Sequence, residues 1–409
     1  VNVASSSGQP GAKSMIRIRG IGTINASEPL YVIDGFIGAG DLNLIDPNDI
    51  ESIEILKDAA ATSIYGSRGA NGVIIVTTKR GSEGRNDVTV NAYVGVQQIA
   101  KRLEMLNARE YAVMLNQQDV LSNQEPSIEN PSVYGKGTDW QDEILRLAFM
   151  QNYQVAASGG NKDGRYYLSL SMFDQDGVIK NSGIRRYQTR LNLDRKMRHN
   201  INIGANFQFS YTQREPNLVS LGGFDYQSSA LATPPTMNIY NEDGSYASDS
   251  PSRVVSNDID NVVAQLNERK KQEKAASIYA GIFAEWEAIK DLKFKTFLGL
   301  NAGTNKTSEY KSSMLPTMRQ NKIKGEAWIN QRWGVIRNQG ESYSILWENT
   351  VNYMKEVAKG HHITALLGYT LQTSRSEGLS LYGKNFTNDL LTWNNLADSE
   401  TSTRLVGSS

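Results

Sequence analysis

Three glycines near the start of the chain have a spacing that could cradle a phosphate. Gly66, Gly69 and Gly72 follow the pattern G-x-x-G-x-x-G and come directly before the apolar segment 73–76. A dinucleotide-binding loop has the pattern G-x-G-x-x-G and opens a helix, so neither spacing nor context fits a nucleotide site. We interpret the glycines as backbone positions that need conformational freedom.

Three carboxylates close by, Glu51, Glu54 and Asp58, are candidates for the acid–base chemistry of a glycosidase. Glu54 alternates with Ile53 and Ile55, however, as a residue on the solvated face of a strand does. No recognisable catalytic pair results, and the sequence favours a protein that is not an enzyme.

Composition excludes several other kinds of site. The 409 residues include no cysteine and three histidines, of which His361 and His362 are adjacent, so zinc-ligand spacing and thiolate chemistry are absent from the sequence. We expect neither a metal nor a cofactor. The 43 basic and 43 acidic residues cancel, which argues against nucleic acid as a partner. Mean hydropathy is −0.45, and apolar runs are far shorter than the roughly 20 residues of a membrane helix.

The elements around these residues form a small α+β unit over residues 1–81. Alternation predicts strands at 15–19, 30–33, 52–56 and 73–78, and Asp34-Gly35 after the second is a strong turn signal. Asp46 followed by Pro47 predicts a helix start. Asp58 can cap a short helix that runs to Tyr65 and ends at Gly66.

From about residue 87 the chain consists of repeated alternation between apolar and polar residues. In segment 201–211 the odd positions are all apolar, whereas the even positions are Asn, Gly, Gln and Ser. Similar segments lie at 88–96, 153–157, 166–173, 187–193, 278–286, 292–300, 343–353 and 363–371. From this alternation we expect about ten strands. Two short helices, at 106–121 with Asn107 as cap and at 139–145, interrupt the series.

The environment of the apolar face decides between two architectures. In a soluble β-sandwich that face would meet a second sheet. In a membrane barrel it would meet lipid, and the segments have the roughly 9–11 residues that a tilted strand needs to cross. Aromatic residues near the segment ends fit an interfacial girdle: Tyr153, Tyr187, Tyr211, Trp286, Trp333, Tyr353 and Tyr369. Short links at 161–164, 195–200 and 355–362 alternate with long ones at 215–274 and 305–327, as in outer-membrane barrels.

Four blocks of the first unit carry a specific resemblance. They are residues 16–23 (IRIRGIGT), 29–35 (PLYVIDG), 49–61 (DIESIEILKDAAA) and 64–73 (IYGSRGANGV). In this order they closely resemble the plug domain of TonB-dependent outer-membrane transporters, and their sequences are similar to those of the SusC/RagA branch in particular. The early plug region, the TonB box and the N-terminal extension are missing from the resemblance, so we expect a segment of a longer protein.

The resemblance implies a fold and a division into domains. Residues 1–81 would be the C-terminal part of a plug, and residues 82–409 the N-terminal half of an antiparallel barrel of about 22 strands. It also implies a Gram-negative outer-membrane location and contact with outer-membrane lipid. The expected function is import of oligosaccharides, or of oligopeptides, together with a SusD-like surface lipoprotein. TonB would relay energy from the inner-membrane proton gradient.

The plug motifs also imply site residues. Arg19 and Arg68 match family positions that resemble a lock between plug and barrel, with wall carboxylates as partners. Glu285 and Glu348, on the polar faces of their strands, are candidate partners. The remaining plug-motif residues are Gly20, Asp34, Gly35, Glu54, Lys57, Tyr65, Gly66, Gly69 and Gly72.

Three alternatives remain open at this point. A siderophore or cobalamin receptor would share the plug and the barrel. A soluble β-sandwich used for binding or adhesion would share only the alternation. A glycosidase would use Glu51 and Glu54.

Overall fold

The computed structural model describes residues 1–5, 7–18, 28–38, 42–58, 62–197, 200–216, 226–247, 261–316, 334–358, 361–384, 386, 388–394, 396 and 399–408. Within these residues the chain forms a small N-terminal unit and a sheet of ten antiparallel strands. We call the N-terminal unit the plug and the ten-stranded sheet the wall.

The plug contains six short strands. They are β1 (Asn2–Ser5), β2 (Ser14–Arg17), β3 (Leu30–Ile33), β4 (Phe36–Ile37), β5 (Ile50–Leu56) and β6 (Val73–Thr78). β1 and β2 pair with each other, and the others form a sheet in the order β4-β3-β6-β5. Only β3 and β6 run parallel in that sheet, which places the ends of both strands side by side.

The predicted plug strands are present, whereas the predicted helices are shorter and tighter. Asp46 does cap a turn, accepting a hydrogen bond from the Asn48 amide at 2.9 Å, but this is a single 3₁₀ turn, Pro47–Asp49. Residues 59–61 of the second predicted helix lie outside the described residues. Its remainder is a 3₁₀ segment, Ser63–Gly69, interrupted at Gly66, whose φ of 59° is not helical.

The wall strands follow one another in sequence order. They are β7 (Asn86–Gln97), β8 (Ala148–Gly160), β9 (Gly164–Asp176), β10 (Gly183–Met197), β11 (Ile201–Glu215), β12 (Arg269–Ile289), β13 (Leu292–Lys311), β14 (Gly334–Ala358), β15 (His361–Lys384) and β16 (Glu400–Ser408). Each pairs with its chain neighbours, so the sheet is an up-and-down series with β7 and β16 at its edges. The expected count of about ten strands is confirmed.

The two faces of the wall are inverted relative to a soluble protein. On β11 the polar side chains Asn206 and Gln208 are 2% and 7% exposed, whereas Phe207 between them is 37% exposed. The apolar face stays open along the other wall strands too, and no second sheet of described residues covers it. This arrangement excludes the β-sandwich, because a sandwich buries its apolar face.

The wall strands are longer than the sequence segments predicted. β14 has 25 residues and β15 has 24, although about ten suffice to cross a bilayer. The strands continue past the apolar band as hydrogen-bonded ribbon with charged side chains, so hydropathy marks only their lipid-facing part. The girdle aromatics therefore lie within the strands on the outward face, except Trp333, which lies outside the described residues.

Connections at the two ends of the wall differ in length. Residues 161–163, 198–200, 290–291 and 359–360 make short links at one end. The other end carries the link 177–182 and four longer ones, 98–147, 216–268, 312–333 and 385–399. This asymmetry is typical of outer-membrane barrels, which have short periplasmic turns and longer external loops.

The long links carry the helices of the chain. They are α1 (Ala108–Leu121), α2 (Trp140–Ile144), α3 (Tyr226–Ala232) and α4 (Val262–Glu268). As predicted, Asn107 caps α1, and it forms a reciprocal capping box with Glu110. Trp140 and Ile144 of α2 pack with Val262 and Leu266 of α4 in a buried cluster. None of the described helices combines the length and apolarity required to traverse a bilayer.

Candidate functional site

The candidate site is the contact between the plug and the polar side of the wall. Its apolar part consists of Val32, Ile33, Phe36 and Ile74 of the plug with wall residues of β12–β14. The Phe36 ring meets the edge of Tyr279 at 5.4 Å between centroids and lies 6.5 Å from Phe297. Gly299 makes room for it, since a Cβ there would come within 2.4 Å of the Phe36 ring.

A tight turn delivers the first charged residue. β3 and β4 form a hairpin in which Val32 pairs with Ile37 and Ile33 with Phe36, leaving a two-residue loop. Asp34 and Gly35 occupy that loop with φ values of 48° and 91°, which are the left-handed conformations that an Asp-Gly turn adopts. The turn places the Asp34 carboxylate beside the end of β6, because β3 and β6 are parallel neighbours.

Asp34 is bound from two directions. Thr78, at the end of β6, donates to it from the backbone amide at 3.0 Å and from Oγ1 at 2.7 Å. Arg190, in the middle of wall strand β10, donates from Nη1 to Asp34 Oδ2 at 2.9 Å. The side chains of Arg190 and Asp34 are 1% and 0% exposed, so this is a dry ion pair between wall and plug.

Neighbouring wall residues complete the environment of Arg190. Its Nη1 also donates to Thr78 Oγ1 at 3.0 Å, and Nη2 donates to Gln208 of β11. Asn192, one step along the same face of β10, donates to Thr78 Oγ1 and to the Lys79 carbonyl at 2.9 and 2.8 Å. We call Asp34, Thr78, Arg190, Asn192 and Gln208 the Arg190 network.

A second plug carboxylate lies beside this network. Asp49, at the end of the 3₁₀ turn that Asp46 caps, is 3% exposed. Three wall side chains donate to it: Gln154 and Tyr167 at 2.8 Å and Ser169 at 2.9 Å. Burial raises the pKa of the Asp49 carboxyl above its ordinary value, against the opposing effects of Tyr167, Ser169 and Arg190.

The plug ends at a further charged contact nearer the short links. Arg80 pairs with Asp194 of β10, and its guanidinium lies 5.7 Å from the centroid of the Phe283 ring. This pair borders a cavity of about 280 Å³ that Lys196 and Glu285 also line. The void between the plug and Tyr279 is, in contrast, only about 10 Å³, too small to hold more than one water.

The residues predicted for the lock are dispersed. Arg19 lies outside the described residues, and so does Gly20. Arg68 is exposed and donates to Gln372 of β15 at 2.5 Å. Glu285 pairs with Lys293 of the neighbouring strand at 3.7 Å, so its described ion-pair partner is a wall lysine. Glu348 faces the lumen near Arg68, which acts on it electrostatically without an ion pair between them in the described residues.

The other plug-motif residues lie on β5 or between β5 and β6. Glu54 and Lys57 are exposed on and after β5, as is Glu51, so the carboxylates proposed for glycosidase chemistry face solvent. Tyr65, Gly66, Gly69 and Gly72 lie in the segment between β5 and β6. In the described part of the chain, His, Asp and Glu side chains do not gather in threes that could hold a metal ion.

Most of the Arg190 network was not predicted from the sequence. Plug arginines facing wall carboxylates were expected, but the buried pair has the opposite polarity. The available signal was an arginine between the neutral Gln188 and Asn192 on the polar face of β10. Asp49 begins the block 49–61 that carries the family resemblance, but its side chain was not predicted to contact the wall.

Comparison with known proteins agrees with this geometry. The TonB-dependent receptor plug domain matches residues 1–73. TonB-dependent receptor P26 of Formosa agariphila is 34% identical over the whole chain, which covers 40% of that relative. TonB-dependent receptor SusC of Bacteroides thetaiotaomicron is 36% identical over 60% of the chain and 25% of its own length.

A solved structure gives the same fold. The RagAB peptide transporter superposes on the whole chain with a TM-score of 0.79 at 23% identity, and the chain covers 48% of it. The chain thus spans about two fifths to one half of the relatives that it matches along its full length. With its plug, its inverted wall and these relatives, the chain belongs to the SusC/RagA type of TonB-dependent receptors, of which it comprises a plug and part of a barrel.

Proposed function

We propose that the chain is part of an outer-membrane transporter that imports oligosaccharides with energy relayed by TonB. The observation that carries this proposal is a folded plug held against the polar side of a lipid-facing wall. A bulky solute passes a filled barrel only when the plug moves, and the outer membrane has no ATP to move it. A pull on the plug, driven by the inner-membrane proton gradient, supplies that work.

We propose a division of the chain into a plug over residues 1–81 and barrel from residue 82. Gly81 supports this boundary. A Cβ at Gly81 would lie 2.2 Å from the Gly159 carbonyl oxygen of β8, so the connection passes directly against the wall. The barrel sheet begins five residues later, at Asn86.

The luminal face of β12–β15 beyond Tyr279 supports a neutral cargo. Cross-strand register places small uncharged residues side by side in successive rows: Ser277, Gly303, Ser342 and Ser376, then Ala275, Asn305, Gly340 and Gly378. Charges farther out are paired, as in Arg269 with Glu309 and Arg214 with Glu273. An uncharged surface with serine hydroxyls and the Asn305 amide suits a hydroxyl-rich solute, which favours an oligosaccharide over a charged peptide.

A SusD-like surface lipoprotein is the proposed partner. The support is the family resemblance and the 36% identity to SusC. We further propose that Arg68, together with Arg19, adds a breakable lock on the side of Glu348. An exposed contact of this kind contributes only about 1 kcal/mol, which a pull can overcome.

The test is uptake by cells that produce the full-length transporter. Cells given fluorescent neutral oligosaccharides should accumulate them, and loss of TonB or addition of a protonophore should abolish the uptake. Uptake that persists without TonB would contradict the proposal. If the cells instead accumulate charged peptides, ferric siderophores or cobalamin, that compound and not an oligosaccharide is the cargo.

Purification of the transporter from outer membranes provides the partner test. We expect a lipoprotein to co-elute in detergent and its bound ligand to be a glycan. As a matched control, a variant with Glu28→Ala, an exposed plug carboxylate outside the plug motifs, should behave like the wild type in both assays.

A further inference from the structure

Three cations cluster on the outward face of the wall near its external end. Lys274 of β12 lies directly opposite Lys306 of β13 in the antiparallel register. Arg337 of β14 is opposite Ser308, two residues farther along β13 on the same face. Both Lys274 and Arg337 act electrostatically on the Lys306 ammonium. We call these three residues the outer cation cluster.

No described carboxylate lies directly opposite a cluster cation, whereas other cations on this face are paired with one; Glu215 and Glu341 lie only diagonally to Lys274 and Lys306. Arg185 pairs with Asp174 at 2.8 Å, and Arg375 pairs with Glu377. Within the described residues, none of the three cluster cations has an ion-pair partner. The Nε of Arg337 is buried without a hydrogen-bond acceptor. The carboxylate diagonally opposite Lys306, Glu341, accepts a hydrogen bond from Gln339 at 3.5 Å.

Like charges directly opposite on a sheet are destabilising, and a buried donor without an acceptor adds a desolvation cost. Both effects disappear when an anion with several oxygens sits among the three side chains. Lysine ammonium and arginine guanidinium groups are the usual protein ligands of phosphate. The cluster therefore has the charge and donors for a phosphate group.

The position of the cluster identifies the source of that phosphate. Tyr187 of β10, Tyr211 of β11 and Ala276 of β12 lie opposite one another in one outward row. Lys274 is the next outward residue of β12 after Ala276, toward the external end. Along β11 the apolar and aromatic outward residues run from Ile201 to Tyr211, a tilted span of about 25 Å in height, which matches the apolar band of a barrel. The cations thus lie just outside the band, at the level of lipid headgroups.

We propose that the outer cation cluster binds the phosphorylated headgroup of a lipid in the outer leaflet. This inference goes beyond the transport function, since it concerns the lipid-facing side and not the cargo. A bound lipid at this position would bridge β12, β13 and β14 near their external ends.

The experiment uses the full-length transporter in detergent, with binding followed by native mass spectrometry. The probes are bisphosphorylated lipid A, enzymatically dephosphorylated lipid A and inorganic phosphate. Phosphorylated lipid A should bind the wild type, and Lys274→Gln or Lys306→Gln should each weaken binding about fivefold. Lys306→Arg should retain binding, which guards against loss through misfolding.

The matched control is Arg375→Gln, which removes a cation of the same face that already has a carboxylate partner. It should leave binding unchanged. Equal binding of phosphorylated and dephosphorylated lipid A, or an equal loss in Arg375→Gln, would overturn the proposal. Displacement of the lipid by millimolar inorganic phosphate would also overturn it, because the site would then take the free anion.

Discussion

The plug meets the wall on two sides, and the two contacts differ in burial and charge. Toward β8–β11 it presents Asp34 and Asp49, both buried, to Arg190 and to neutral donors. Toward β15 it presents Arg68, which is exposed and donates to the amide Gln372. One side is a dry, charge-assisted contact and the other a single hydrogen bond open to water. Because the exposed Arg68 contact is the weaker one, a moderate pull on the plug should break it before the Arg190 network.

The strongest test of this comparison is Asp34→Ala. It leaves the Arg190 guanidinium buried without its carboxylate, which typically costs about 3–5 kcal/mol. The plug should then leave the lumen at a lower urea concentration, measured by protease cleavage of the plug along a urea series. Glu28→Ala, at an exposed plug carboxylate outside the plug motifs, is the control. An unchanged release midpoint would mean that the Arg190 network does not hold the plug.

Phe36→Ala tests the apolar contact that lies between the two sides. Phe36 is 0% exposed, so its truncation should lower the free energy of plug docking by about 3 kcal/mol. Ile53→Ala, at a plug position that is 49% exposed, serves as the comparison in the same urea series. If both changes have equal effects, the core between plug and wall is not the anchor we describe.

The contacts of Asp34 show which features of the site could be predicted from the sequence. The Asp-Gly dipeptide predicted the turn that positions Asp34, and the alternation predicted both faces of the wall, because each signal is local. The partners of Asp34 lie 44 and 156 positions away in sequence. Pairing at such separations depends on how the plug rotates within the lumen, and no spacing in one sequence encodes that rotation.

Strand length was underestimated for a related reason. Segments 278–286 and 343–353 were limited to the part that alternates, whereas β12 and β14 extend well beyond them. Outside the lipid, both faces meet water, so the apolar period is lost although the hydrogen-bonded ladder continues. The wall position of Glu285 was predicted, but its neighbour Lys293 comes from the register of β12 with β13.

A pH series tests the contribution of the Asp49 carboxyl to plug docking. The pKa of Asp49 is raised in the docked state, so the docked plug binds that proton more tightly than the released plug does. The contribution of Asp49 to docking is therefore greatest when it is protonated and decreases as pH rises through the docked-state pKa. Asp49→Asn should remove this part of the pH dependence of the release midpoint, measured from below the ordinary pKa of 3.8 to neutrality. An identical pH profile in both proteins would contradict it.

The smallest effect is expected on the exposed side. Arg68→Ala, alone or with Arg19→Ala, should reduce the holding energy by about 1 kcal/mol and raise passive leak of small sugars modestly. Swelling of liposomes that contain the full-length transporter measures this leak. A leak larger than that of Asp34→Ala would reverse the comparison and make the Arg68 side the main hold.

The length of β14 has a consequence for anything that settles on the transporter from outside. Its 25 residues extend about 80 Å along the strand, whereas the bilayer takes up less than half of that. On the long-link side, residues 334–342 continue as strand hydrogen-bonded to β13 and β15, which is stiffer than an unpaired loop. A protein that binds at this end would therefore meet a rigid rim above the bilayer. Deleting residues from the rim in pairs would bring the bound protein closer to the membrane without changing the lumen below.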